Sequence, residues 1–152
     1  MKKTDYPALL AQAEGLIDGV PHLVANLANV SALIYMTLEQ LNWAGFYFAE
    51  GGKLVLGPFQ GRPACIEIPW GRGVCGTAAA QDATQLVPDV HAFPGHIACD
   101  CASNAEIVVP LRDAAGQVRA VLDIDSPVEA RFSEEDRAGL EALCAVLEKH
   151  LF

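Results

Sequence analysis

The chain is expected to be an α+β protein, an antiparallel sheet carrying helices from both chain ends on one face, and two features of the sequence say so. Apolar residues recur at helical spacing near both ends, while the stretches between them are rich in strand-forming residues and joined by tight glycine turns. Antiparallel strands can be joined by such turns, whereas parallel ones need long crossovers.

Each element follows in order. Leu9, Leu10, Ala13, Leu16 and Ile17, then Leu23, Leu27, Val30, Leu33, Ile34 and Leu38, make a helical layer over 6–41, broken at Gly19 and Pro21. Residues 43–48 and 53–56 read as a hairpin turned at Gly51-Gly52. A short strand is expected over 64–68, a short helix over 73–81 and a brief strand over 85–87. Residues 88–104 mix Pro, Gly, His, Asp and Cys without a sustained period, and a long irregular segment inside a compact domain tends to be functional. Strands over 106–111 and 118–124 turn at Ala115-Gly116, and Ser133 to Asp136 form a capping box ahead of a helix bearing Leu140, Leu143, Val146, Leu147 and Leu151.

Composition narrows the function. A length of 152 residues with 52% hydrophobic and 19% charged residues suits a single domain over 1–152 with one core. The net charge of −9, with only 10 Lys and Arg scattered along the chain, would repel a phosphate backbone, so no nucleic-acid partner is expected. Gln12, Glu14 and Asp18 interrupt the first apolar stretch and no run reaches 18 apolar residues, so neither an export signal nor a membrane span is expected. A cytoplasmic location follows as an expectation.

Five cysteines in such a chain point to catalysis, redox sensing or metal binding before permanent disulfides. Gly71-Arg72-Gly73-Val74-Cys75-Gly76 matches a dinucleotide fingerprint, but its neighbours read as hairpins, and a glycine turn that lets backbone amides approach a ligand fits better. Zinc on Cys65, Cys75, Cys99 and Cys101 with His91 or His96 is disfavoured, because the close pair is C-x-C and lacks the spacing of a zinc knuckle. A thiol mechanism asks for one attacking cysteine and a second that can reach it. Cys99 is the better attacker, lying in Gly95-His96-Ile97-Ala98-Cys99, where His96 would favour the thiolate. Taken alone, Cys65 and Cys75 suit a buried apolar role equally well, and Cys144 on the last helix suits it best. Asp123 and Asp125 share a strand face, and with Glu106 they would be costly to bury unless a ligand amino group pairs with them; a solvated face is the plainer alternative. Trp43 and Tyr47 offer apolar walls or a hydroxyl donor, or simply core.

Asn42-Trp43-Ala44-Gly45-Phe46-Tyr47, Gly57-Pro58-Phe59-Gln60-Gly61, the 71–78 glycine motif, the 89–100 stretch through His91, His96 and Cys99, residues 103–110, and Leu122-Asp123-Ile124-Asp125-Ser126-Pro127 form one set running from about residue 42 to residue 151. Together they resemble the free methionine-(R)-sulfoxide reductases, which are single GAF-domain enzymes. The resemblance implies a GAF-like fold, Cys99 as nucleophile, Cys65 as resolving cysteine and Cys75 as an accessory one. It further implies that Glu106, Asp123 and Asp125 hold the substrate's amino group and assist protonation of the sulfoxide oxygen, with Trp43 and Tyr47 lining the pocket. The implied substrate is free methionine-(R)-sulfoxide, the reductant a thioredoxin-type dithiol, with no cofactor or metal, and a homodimer is allowed. Cys101 departs from the family, which more often has a small non-thiol residue there. The alternative is a noncatalytic GAF sensor of a small ligand or of oxidation.

Overall fold

Asp5 starts the first helix by accepting the Ala8 amide at 3.1 Å, with Pro7 in the first turn where its missing N–H costs nothing. The computed structural model describes residues 1–95 and 102–152. Helix α1 (Tyr6–Ile17) buries Tyr6, Leu9, Ala13 and Ile17, a one-sided stripe, and ends before Gly19, whose φ is +69°. Helix α2 (Leu23–Thr37) follows, its entry held by the Asn26 amide donating to the Val20 carbonyl at 2.9 Å.

Strands β1 (Trp43–Glu50) and β2 (Lys53–Gly61) form the expected hairpin, with Gly51 and Gly52 both at positive φ in the turn. Next come β3 (Glu67–Pro69), helix α3 (Gly73–Gln81) and β4 (Gln85–Val87), then a single 3₁₀ turn over Val90–Ala92. Strands β5 (Ala105–Arg112) and β6 (Val118–Ser126) precede helix α4 (Glu134–Leu151), whose Ser133–Asp136 capping box forms as the sequence predicts.

The six strands lie in the order β3-β2-β1-β6-β5-β4, every described pair antiparallel. That arrangement removes the dinucleotide reading of the glycine motif, which requires parallel strands. The expected strand over 64–68 is corrected to the three residues of β3. Residues 67–69 make the ladder with β2 and the Ile66 carbonyl still accepts from the Leu56 amide, while the Cys65 carbonyl is taken by the Tyr47 hydroxyl at 2.8 Å.

Side-chain alternation gives the sheet two faces. Ala44, Phe46, Ile107, Val109, Leu122 and Ile124 pack with α1, α2 and α4, so the terminal helices do share one face. Trp43, Tyr47, Val108 and Val121 point to the other, where α3 brings Val74, Cys75, Ala78 and Ala79 against them. Cys144 is buried in the first layer, as expected of a small apolar residue. Among the described residues no helix is long and apolar enough to cross a membrane.

Candidate active site

The second face holds the chemistry. On β6, Asp123 and Asp125 point to it; Glu106 on β5 stands opposite Asp125, and Trp43 and Gly45 on β1 stand opposite Asp125 and Asp123. Strand pairing alone therefore sets three carboxylates side by side beneath an aromatic wall. Trp43 stacks on Phe59 with ring centroids 5.0 Å apart and on Tyr47 at 6.0 Å. Its indole N–H is spent on the Arg62 carbonyl at 3.0 Å.

Two glycines make the geometry reachable. A Cβ on Gly45 would sit 2.3 Å from that of Phe59, at the irregularity where β2 bends toward β1. A Cβ on Gly76 would sit 2.5 Å from the Pro69 carbonyl oxygen, at the point where the glycine motif folds back on β3. The Gly71 amide donates to the Gly76 carbonyl at 2.8 Å, and Gly71 and Gly73 take positive φ. The motif thus aims the start of α3, including Gly73, Val74 and Cys75, into the pocket. The N-cap residue Arg72 makes no side-chain capping bond to that helix start, whose first amides are of the kind that suits an anionic group.

The pocket's empty volume, with its open mouth included, is about 550 Å³. Its floor is acidic and its electrostatics are strained. Glu106 is held well above the usual carboxylate range, first by burial and then by the charges of Asp123 and Asp125. Asp123 is also raised by burial, partly offset by its polar neighbours Glu106, Cys75 and Asp125. The Cys75 thiol donates to a Glu106 oxygen at 3.8 Å, and burial followed by the nearby carboxylates pushes its pKa up, so this sulfur is held as a thiol. Asp123, only 6% exposed, has one carboxylate oxygen with no hydrogen-bond partner among the described residues. An oxygen in that position suits a cationic donor.

The structure brings Trp43, Tyr47, Cys75, Glu106, Asp123 and Asp125 into one pocket wall. Cys65 is next to the wall residue Ala64, its carbonyl fixed by the Tyr47 hydroxyl, and it is disulfide-bonded. The Tyr47 hydroxyl is therefore committed to the backbone and does not serve as the free donor that the sequence suggested. Cys99, with His96 and Cys101, lies outside the described residues. Of the zinc set weighed from sequence, only Cys65, Cys75 and His91 fall among the described residues. His91 bonds Asn104 at 3.1 Å, and the donor atoms that converge, within 4.8 Å of one another, are those of Cys75, Glu106 and Asp123. Sequence reasoning missed the polar pocket residues Arg72 and Ser103, as well as the apolar Pro63, Ala64, Ile68 and Val74. Arg72 was concealed in a motif read for its glycines; Ser103, whose hydroxyl accepts from the Asn42 amide at 2.9 Å, carried no signal of its own.

The sequence profile of the GAF domain matches residues 24–149. The chain is 55% identical over 152 residues to the free methionine-R-sulfoxide reductase of Escherichia coli, covering 99% of this chain and 92% of that one. It superposes on fRMsr of Staphylococcus aureus in complex with substrate with a TM-score of 0.95 at 49% identity, covering 100% of this chain and 99% of that one. The Neisseria meningitidis free methionine-R-sulfoxide reductase, solved in complex with its substrate, gives a TM-score of 0.92 at 43% identity, covering 99% and 92%. With the acidic pocket on the α3 side of an antiparallel sheet and identity along the whole chain, the protein belongs to the free methionine-R-sulfoxide reductases, oxidoreductases built on the GAF domain.

Proposed function

We propose that the pocket reduces free L-methionine-(R)-sulfoxide to L-methionine, with Cys99 as the attacking sulfur and Cys65 as its resolving partner. The observation that carries this reading is the set of three neighbouring carboxylates with an unpartnered buried oxygen on Asp123. An amino-acid ammonium satisfies that oxygen and neutralises the repulsion, while the start of α3 receives the substrate carboxylate. Trp43 and Tyr47 enclose the apolar part. The relatives from Staphylococcus and Neisseria solved with substrate bound support this choice of ligand.

In the proposed reaction the Cys99 thiolate attacks the sulfoxide sulfur while Glu106, protonated because burial and its neighbours favour the neutral acid, gives a proton to the oxygen. The oxygen passes to Cys99 as a sulfenic acid and methionine leaves with the electron pair. The Cys65 thiol then displaces water to form a disulfide, which a thioredoxin-type dithiol reduces. That Cys65 is disulfide-bonded in the structure supports its part in this cycle. Cys75, held as a thiol, stays accessory. A thiol cycle of this kind suits a cytoplasm that keeps thiols reduced.

The test is NADPH oxidation coupled through thioredoxin reductase and thioredoxin, with the R and S epimers of free methionine sulfoxide and a peptide-bound sulfoxide as substrates. Turnover is expected with the free R epimer alone, and Cys99→Ser should abolish it without loss of the folded state. Binding of the sulfoxide with no NADPH consumed would make the protein a sensor and reject the reading.

A further inference from the structure

Beside Cys65 the surface carries two large apolar side chains. Ile66 is 71% exposed and Trp70 is 37% exposed, although both are held by backbone hydrogen bonds. The Ile66 carbonyl accepts from the Leu56 amide at 2.9 Å, and the Trp70 amide donates to the Gly52 carbonyl at 3.2 Å. Between them runs β3, at one end of the strand order, with Ile68 turned inward as a wall of the acidic pocket. Two large apolar side chains are thus presented from a fixed backbone next to a disulfide-bonded cysteine.

Charge sets the same surface apart. In residues 61–73 the charged side chains are Arg62, Glu67 and Arg72. Glu67 is neutralised by Lys53 at 2.8 Å, while Arg62 and Arg72 are both exposed. This stretch is therefore locally positive on a chain whose net charge is −9. An acidic or neutral protein meets less repulsion here than over the molecule at large.

We propose that Ile66 and Trp70, flanking β3, form the docking surface for a dithiol protein of the thioredoxin type whose reactive cysteine attacks Cys65. The inference rests on the reductase reading above and extends it to the partner. A small thiol needs no apolar platform, whereas a protein must lay its own surface on the target to bring sulfur to sulfur. The reductant's thiolate attacks the Cys65 sulfur, forming a mixed disulfide and expelling the partner sulfur as a thiolate. The reductant's second thiol, losing its proton, then attacks its own bonded sulfur and Cys65 departs as a thiolate. Two electrons pass from the dithiol, which becomes a disulfide, and its two protons go to the released thiolates.

The experiment compares the full-length protein with its Ile66→Asp/Trp70→Ser double variant, using methionine-(R)-sulfoxide with either thioredoxin or dithiothreitol as reductant, and with Val24→Asp on α2 as a remote exposed control. Loss of an aromatic anchor and burial of a new charge should raise the KM for thioredoxin about tenfold or more, leaving dithiothreitol turnover and the control unchanged. A thioredoxin KM within about twofold of the parent, equal losses with both reductants, or an equal rise in the control would overturn the docking surface. A parent that turns over with dithiothreitol and not with thioredoxin overturns it too while leaving the reductase reading intact, whereas a parent inactive with both rejects the reductase reading.

Discussion

Glu106→Gln is expected to make the protein more stable and nearly inactive. The donor atoms of Glu106, Asp123 and Cys75 lie within 4.8 Å of one another in a buried site. Two carboxylate charges at that separation repel by roughly 3 kcal/mol at an effective dielectric of about 20. The fold escapes part of this by keeping Glu106 protonated, as its raised pKa shows, and the remainder is a cost of folding at neutral pH. A carboxyl whose folded pKa is raised binds its proton more tightly in the folded state. It costs nothing below its ordinary value of 4.5 and progressively more as pH climbs from there to the folded value. The neutral, isosteric amide removes that cost and can still accept from the Cys75 thiol. The variant should therefore gain about 1–3 kcal/mol at pH 7, a rise in Tm of about 3–8 °C for a chain of this size. The gain should shrink toward zero at pH 4, where the parent is protonated in both states. The amide has no proton to give to the sulfoxide oxygen, so kcat/KM for the free R sulfoxide should fall about 100-fold or more. Thermal melts at both pH values with the coupled assay decide it. A variant less stable than the parent at pH 7, a gain that persists at pH 4, or near-parental activity would each rule out a protonated Glu106 as the source of both effects.

Three further outcomes follow from the packing. Asp136 accepts from the Tyr6 hydroxyl at 2.6 Å and the Ser133 amide at 2.9 Å and faces the buried Arg131, so Asp136→Ala should cost about 3–5 kcal/mol in urea unfolding by leaving that guanidinium unpaired. Gly45→Ala puts a methyl 2.3 Å from the Phe59 Cβ, and pushing β2 away should cost about 1–3 kcal/mol and raise the substrate KM by displacing the Trp43 wall. Cys75 is buried with its thiol form favoured, so iodoacetamide at pH 7.5 should leave it unmodified in the native protein as followed by mass spectrometry, and label it only after denaturation.

Most elements were readable because their signals are local. The Gly51-Gly52 turn, the Ser133 cap and the helical spacing of Leu9, Ala13 and Ile17 each depend on residues within a few positions, and each formed as expected. The strand over 64–68 was misplaced because its fate depends on a partner 18 residues away, the Tyr47 hydroxyl that takes the Cys65 carbonyl. The same hydroxyl, read from sequence as a donor to a ligand, is spent there. Arg72 was overlooked because its neighbours' glycines account for the motif equally well, and only the turn back onto β3 brings it to the pocket.

The amino-acid sequence alone determined the α+β class, the hairpins, the helix caps and, through its resemblance to the reductases, the identity of the acidic and aromatic positions. Only the packing of distant elements brought Glu106 from β5, Asp123 and Asp125 from β6, Trp43 from β1 and Cys75 from α3 into one pocket. Periodicity assigns a side chain to a face, but the raised acidity constants, the unpartnered Asp123 oxygen and the exposure of Ile66 and Trp70 arise from which faces meet and how much water they exclude.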